Sequence, residues 1–368
     1  MKRLLLSLTA LLTVCFSAEA QEEKKYEHLN FVDATTLNIC GHTQRTDKSP
    51  YHRFDWSLYG FQSEIIRRYA TYSTGLYVMF RTNSTTIAAT WENGPCRLRT
   101  NTTVMAQMGL DLYVKENGKW RYCQVGIPSA NTKITKRTRT LIENMSGEMR
   151  EYMLYLPLFC EIKSLSIGVD KDAKIEAIPS PYKYKVINYG TSITHGVAVS
   201  RPAMTWPARM SRNLGIEFIN AGFSGQGKMQ PTFVSLFTQC EADAFLCYCF
   251  GNPTANQIEE RVDFFVDELV KAHPGKPIIF IKFLHEESVH YDLKKRATIA
   301  EKSVVVERKM AEICKRHKDV YYLNEPFAYG EDYEGIADLS HITDQGFDNV
   351  VKTYQPKIAE ILRKYGIE

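Results

Sequence analysis

The sequence predicts an α/β protein in two parts: a jelly-roll-like β-sandwich, followed by a domain built on a parallel β-sheet with helices on its faces. Three observations carry this. Residues 31 to 178 read as short stretches of period-two alternation broken by turns, with no long 3.6-residue period. After Pro179-Ser180-Pro181 the rhythm changes to strand and helix in alternation. A chain of 368 residues, 44% apolar, is long enough to build two separate cores.

In chain order, residues 1–20 have a basic start (Lys2, Arg3), an apolar run from Leu4 to Phe16 and a small-x-small ending at Ala18-Glu19-Ala20. This is the pattern of a secretory signal peptide cut before Gln21, so an exported protein, periplasmic or extracellular, is expected. The bulky Val14 before Cys15 argues against a lipoprotein anchor there. No later run approaches the roughly 20 apolar residues a membrane span needs, so no stable membrane insertion is expected. The sandwich is placed at residues 25–180. In it Leu76, Val78 and Phe80 share a face, Leu110, Leu112 and Val114 repeat the period, and Asn117-Gly118 supplies a hairpin turn before Trp120 and Tyr122. Further strands read at Tyr152 to Leu156 and Leu165 to Val169.

The second domain is placed at residues 183–368. Its strands read at Tyr184 to Tyr189, Glu217 to Asn220, Ala244 to Phe250, Pro277 to Phe283 and Val320 to Leu323. Ile258, Val262, Phe265, Val266 and Leu269 form one helical stripe between the third and fourth. Parallel strands need crossovers that cover both faces of the sheet, and chemistry on such sheets sits at the strands' C-terminal ends.

Composition narrows the function. The formal charge of +4 is spread along the chain without a Lys/Arg tract, which argues against nucleic acid as a partner. Eight cysteines follow the signal; their spacing leaves disulfide pairing open, and Cys247 and Cys249 read as buried thiols on one strand. No Cys-x-x-Cys pair or His cluster has zinc spacing, and neither a metal nor an organic cofactor is expected.

Four strand endings carry the chemistry. The first strand runs into Gly190-Thr191-Ser192-Ile193-Thr194-His195-Gly196, a turn that lifts Ser192 clear of the sheet as a nucleophile or uses it only as a helix cap. The second ends in Asn220-Ala221-Gly222-Phe223-Ser224-Gly225 and the third in Gly251-Asn252. The Ser192 and Gly225 amides and the Asn252 side chain are candidate donors to an oxyanion; alone, the glycines and Asn252 are ordinary turn formers. After the last strand, Asp338-Leu339-Ser340-His341 sets a carboxylate three residues before an imidazole, a spacing that lets Asp338 fix the ring while His341 takes the serine proton.

These motifs, in this order and on successive strand ends, resemble the SGNH/GDSL hydrolase superfamily. The resemblance covers roughly Lys183 to the end. It implies a three-layer α/β/α fold with Ser192 as nucleophile, Asp338 and His341 completing the triad, and Gly225 and Asn252 in the oxyanion hole with the Ser192 amide. Upstream, Met108-Gly109-Leu110-Asp111-Leu112-Tyr113 with Tyr155-Leu156-Pro157-Leu158 resembles the "GxDLY" β-sandwich domain that precedes a subset of these hydrolases in exported bacterial proteins. That subset includes carbohydrate esterases that remove acetyl groups from polysaccharides. The resemblance therefore implies an exported esterase acting on O-acyl groups, O-acetyl by inheritance, of a small-molecule or glycan ester. The alternatives are a lipase- or thioesterase-type acyl hydrolase and a non-catalytic glycan-binding protein.

The chain departs from the subset at Tyr248-Cys249-Phe250-Gly251-Asn252, where an Asp-Cys-Leu-Pro-Asn-like ending is usual, and at His195, where glutamine is usual. His195 reads as a substrate contact or surface group in preference to a second base. Arg201 and Lys228 read as solvated, with an acidic sugar as the alternative. Arg81, Trp91 and Tyr113 invite a sugar platform, but aromatic residues in alternating strands read first as core. Asn83, Asn101 and Asn144 each begin an N-x-Ser/Thr sequon, which matters only in a eukaryotic secretory pathway.

Overall fold

The computed structural model describes residues 25–44, 50–58, 60–282 and 291–368. The signal peptide, Cys15 and Phe283 lie outside the described residues.

The N-terminal part is two antiparallel sheets face to face. Its strands are β1 Leu29–Asp33, β2 Asn38–Cys40, β3 Tyr77–Thr82, β4 Ile87–Asn93, β5 Leu110–Glu116, β6 Lys119–Gly126, β7 Lys136–Ile142, β8 Arg150–Tyr155, β9 Ile162–Asp170 and β10 Ile175–Ala177. One sheet has the order β1-β9-β4-β7; the other runs β10-β3-β8-β5-β6, with β2 pairing β3 beyond β10. The hairpin turn falls at Asn117 and Gly118, both at positive φ, between β5 and β6. Between the sheets lie Val78, Phe80, Trp91, Leu110, Leu112 and Ile167, all fully buried. Trp91 is thus core, its indole N–H donating to the Met108 carbonyl at 3.0 Å.

Alternation decides what the other face of the second sheet does. Tyr77, Met79, Tyr113, Met153 and Tyr155 point away from the sandwich and pack with Ala203 and Ala208 of the second domain. This sheet is buried on both faces, and the second face is the domain interface.

Two helices interrupt the strand pattern, α1 Glu64–Thr71 and α2 Val104–Met108. The sequence predicts only a β-sandwich here, because no segment shows a long 3.6-residue period. Both are short, and their apolar residues do not serve the sandwich: Ile66, Tyr69, Ala70 and Ala106 join the core of the second domain, as do Phe54, Phe61, Leu158 and Phe159.

The second domain carries β11 Lys185–Gly190, α3 Ser192–His195, α4 Trp206–Leu214, β12 Glu217–Gly222, α5 Pro231–Gln239, β13 Ala244–Tyr248, α6 Ala255–Ala272, β14 Ile278–Ile281, α7 Leu293–Arg316, β15 Val320–Leu323 and α8 Asp344–Arg363. The sheet is parallel throughout, in the order β12-β11-β13-β14-β15. The stripe Ile258, Val262, Phe265, Val266 and Leu269 of α6 is fully buried against it. Thr254 and Gln257 close a capping box at the start of that helix, satisfying two of its free backbone N–H groups. Cys247 and Cys249 are buried thiols, whose pKa burial raises. Among the described residues, no helix is long and apolar enough to cross a membrane.

The motif Gly109-Leu110-Asp111-Leu112-Tyr113 now has a physical account. Leu110 and Leu112 point into the sandwich, while Asp111 and Tyr113 face the second domain. Arg201 donates to both Asp111 oxygens (3.0 and 2.8 Å) and to the Tyr113 hydroxyl (2.8 Å), and lies over the Tyr122 ring at 4.2 Å. Asp111, with no exposed surface, also accepts from the Ala203 N–H at 2.9 Å. Burial pushes the Asp111 carboxyl up in pKa, and the Arg201 guanidinium opposes that rise. Arg201 is therefore not a solvated group but one side of a latch between domains. A second contact is the Tyr77 hydroxyl donating to the buried Glu217 at 2.6 Å.

Candidate active site

The C-terminal ends of β11, β12 and β13 meet the loop before α8. Thr191 is the N-cap of α3: its hydroxyl accepts from the Ile193 N–H. With capping done by Thr191, Ser192 Oγ is free for other work, and it lies 2.9 Å from His341 Nε2. The helix is only four residues long and ends at Gly196, in the left-handed region.

His341 and Asp338 share a tight loop. The Asp338 carboxylate lies 2.8 and 2.9 Å from His341 Nδ1, and its Oδ1 also accepts from the His341 backbone N–H at 2.9 Å. Leu339 between them has φ +64, a left-handed strain of about 1–3 kcal/mol for a non-glycine residue that this compact geometry imposes. Burial alone would raise the Asp338 pKa. The hydrogen bonds from Asn101 and from His341 outweigh it and hold the carboxyl down at about 2.

Asn101 was not anticipated as part of the site. Its Nδ2 donates to Asp338 Oδ2 at 2.6 Å, from the N-terminal domain and across 237 positions of sequence. The side chain read as a sequon is thus committed to the triad carboxylate. The loop that carries it is fixed on both sides. Buried Gln107 accepts from the Arg99 N–H (2.7 Å) and donates to the Thr102 carbonyl (2.6 Å), and Thr102 Oγ1 accepts from the Ala198 N–H (3.1 Å). The Cys96–Cys160 disulfide anchors the start of the same loop.

The second strand end is tied to the nucleophile helix. Asn220 donates to the Thr194 carbonyl at 2.7 Å and accepts from the Gly222 N–H at 2.9 Å. A Cβ on Gly222 would sit 2.1 Å from the His195 backbone nitrogen, so only glycine lets strand and helix approach this closely. Gly225 follows at φ +71, and among the described residues its N–H and that of Ser192 donate to no protein acceptor. Asn252 Oδ1 accepts from the Gly227 N–H at 3.2 Å, which leaves the amide nitrogen as the donor end of that side chain. The structure therefore brings Ser192, Asp338 and His341 together and leaves unpaired donors on Ser192, Gly225 and Asn252.

His195 is neither a substrate contact nor a surface group. It is fully buried, stacked on Phe159 (4.3 Å between centroids) with Tyr69 edge-on. Nε2 lies 3.0 Å from the Leu158 carbonyl and Nδ1 accepts from the Ser224 N–H at 3.3 Å. Burial, with Arg53 and Arg99 nearby, pushes its pKa well below 6.5 and keeps the ring neutral. Its work is to hold the Ser224-Gly225 turn. Lys228 sits half-buried just beyond that turn, its carbonyl accepting from Arg261. Among the described residues no cluster of His, Cys, Asp and Glu could hold a metal ion.

The chain matches two family models. Residues 183–359 match the GDSL-like lipase/acylhydrolase family and residues 29–175 match the N-terminal domain of esterases of the SGNH-hydrolase type. A protein described as a GDSL-like lipase from Bacteroides ovatus is 38% identical over 91% of this chain and 98% of its own, with a TM-score of 0.87. A salicylyl-acyltransferase from a tetracycline biosynthetic pathway is 20% identical over 91% of this chain and 98% of its own, at TM-score 0.66. An acetyl xylan esterase from the rumen bacterium Butyrivibrio proteoclasticus is 14% identical with the same coverage, at TM-score 0.54. No curated protein sequence matches.

Proposed function

This chain belongs to the GDSL-like lipase/acylhydrolase (SGNH) family, with the N-terminal GxDLY domain; from that we propose that it is an exported serine esterase releasing O-acetyl groups from carbohydrates through an acyl-enzyme. The observation that carries the chemistry is the unbroken relay Asn101–Asp338–His341–Ser192. Ser192 Oγ attacks the ester carbonyl carbon as its proton passes to His341 Nε2. Asp338 stabilises the imidazolium, and the amides of Ser192 and Gly225 with the Asn252 side chain meet the oxyanion, each donor lowering the barrier by roughly 3 kcal/mol. The ester C–O bond then breaks while His341 returns the proton to the departing sugar oxygen. Water, deprotonated by the same histidine, attacks the acyl-enzyme and releases the acid and free Ser192.

The carbohydrate part of the reading takes its lead from fold relatives that are carbohydrate esterases, one of them in complex with cellohexaose. The Cys96–Cys160 disulfide supports export. The Ser192→Ala variant should lose at least about a thousandfold in turnover of an aryl acetate with its melting temperature retained. Retained turnover would sink the assignment of Ser192. A chain-length series of nitrophenyl esters should peak at acetyl; a peak at eight carbons or more would favour the lipase alternative.

A further inference from the structure

An open pocket of about 290 Å³ lies within the N-terminal domain, beside the Ser224-Gly225 turn. Three guanidinium groups, Arg68, Arg97 and Arg99, and three aromatic rings, Tyr69, Tyr72 and Phe159, line it. It adjoins the chemistry through Arg99, whose Nη2 donates to Ser224 Oγ at 2.9 Å and to the Tyr69 hydroxyl at 3.0 Å, next to the Gly225 amide. Two positions further along the same loop, Asn101 holds the triad carboxylate.

None of Arg68, Arg97 and Arg99 has a carboxylate partner among the described residues. A fourth guanidinium, Arg53, is fully buried behind Tyr69 and donates to the Tyr69 and Asn220 carbonyls; among the described residues its Nη2 is unpaired and it has no carboxylate partner. Like charges around one concavity raise its potential and favour an anion there, although Arg68 and Arg97 are exposed and solvent screens part of the effect. The supports are rigid: the Cys96–Cys160 bridge immediately precedes Arg97, Arg99 stacks over Phe159 at 4.8 Å, and Phe159 stacks on buried His195.

We propose that this pocket is a subsite for an acidic sugar, whose carboxylate is held by Arg68, Arg97 and Arg99 while its ring lies against the aromatic wall, so that the enzyme acts on esters of carboxylate-bearing glycans. Guanidinium forks match planar carboxylates, and aromatic faces accept the C–H side of a pyranose. The inference rests on the esterase reading above and names its substrate class. Arg99, bonded to Ser224, ties occupancy of the subsite to the oxyanion turn.

The test uses the full mature chain and two unesterified oligosaccharides, identical except that one carries a uronate residue. Calorimetry at low salt should show the uronate form binding about tenfold more tightly, the scale of one charge-assisted pair at a solvent-accessible site. The Arg68→Gln/Arg97→Gln double variant should remove most of that preference, Arg68→Lys/Arg97→Lys should restore part of it, and high salt should suppress it in the wild type. Equal binding of the two sugars, a preference untouched by the double glutamine variant, or tighter binding of a sulfated counterpart would each overturn the proposal. Aryl acetate turnover by the wild type, and its loss in Ser192→Ala, reports separately on the esterase reading. Melting temperatures confirm that the variants are folded before either comparison is drawn.

Discussion

Replacing Asn101 with Ala tests whether the N-terminal domain takes part in catalysis. The substitution removes a 2.6 Å hydrogen bond from a neutral amide to the Asp338 carboxylate. Bonds to charged groups contribute about 1.5–3 kcal/mol, and the partial exposure of Asp338 reduces this to roughly 1–2 kcal/mol. If that stabilisation acts fully on the orientation of His341, kcat/KM on an aryl acetate falls by about five- to thirtyfold. A second readout follows from the carboxyl pKa, held at about 2 against an ordinary 3.8. A group whose pKa is depressed in the folded state stabilises it above the unfolded pKa, and that contribution is lost as pH falls toward the folded value. The wild type should therefore exceed Asn101→Ala in unfolding free energy at pH 5 to 7. The gap should narrow as pH falls from about 4 toward 2, the folded value at which wild-type Asp338 is half protonated, and close below it. The assays are steady-state kinetics and urea titrations across that range. A variant within twofold of wild type in kcat/KM, or a stability gap as large at pH 2 as at pH 6, would refute the reasoning.

Three further outcomes are expected. Because His195 is buried neutral, wild-type stability should fall as pH drops below about 6.5, by up to about 1.4 kcal/mol per pH unit, and His195→Phe should flatten that limb in chemical denaturation; an unchanged limb would contradict the assignment. Asp111→Ala strands Arg201 at the domain interface and should cost about 3–5 kcal/mol, seen as a lower melting temperature; a loss under 1 kcal/mol would mean the latch is solvated. The Cys96–Cys160 bridge closes a 64-residue separation, so Cys96→Ser/Cys160→Ser should lose about 4 kcal/mol on chain-entropy grounds, and urea midpoints that match wild type would show the bridge adds nothing.

Most of the architecture was legible in the sequence because the signals are local. Period two at Leu76, Val78 and Phe80, and the helical stripe from Ile258 to Leu269, report which face of an element is buried, and both faces are buried as expected. The helices α1 and α2 escaped that reading because a short helix offers too few turns to establish a period and its apolar residues serve a core far away in sequence. Arg201 was misread for the same reason: its partner Asp111 lies in the other domain, and nothing around an arginine in sequence tells a paired guanidinium from a solvated one.

For the site, the sequence by itself determined the order of the strand-end motifs around Ser192, Gly225, Asn252, Asp338 and His341, since a parallel sheet gathers the ends of its strands on one edge. Taken alone, the Gly190-Thr191-Ser192 turn read as cap or nucleophile, and the motif order made Ser192 the nucleophile. Only the tertiary structure decided that Thr191 caps the helix while Ser192 faces His341, that His195 is a buried prop, and that Asn101 completes the relay. Each of those depends on where a side chain ends after distant segments have packed. Periodicity and motif spacing carry information along the chain, whereas hydrogen bonds such as Asn101 to Asp338 are set by the three-dimensional meeting of two domains.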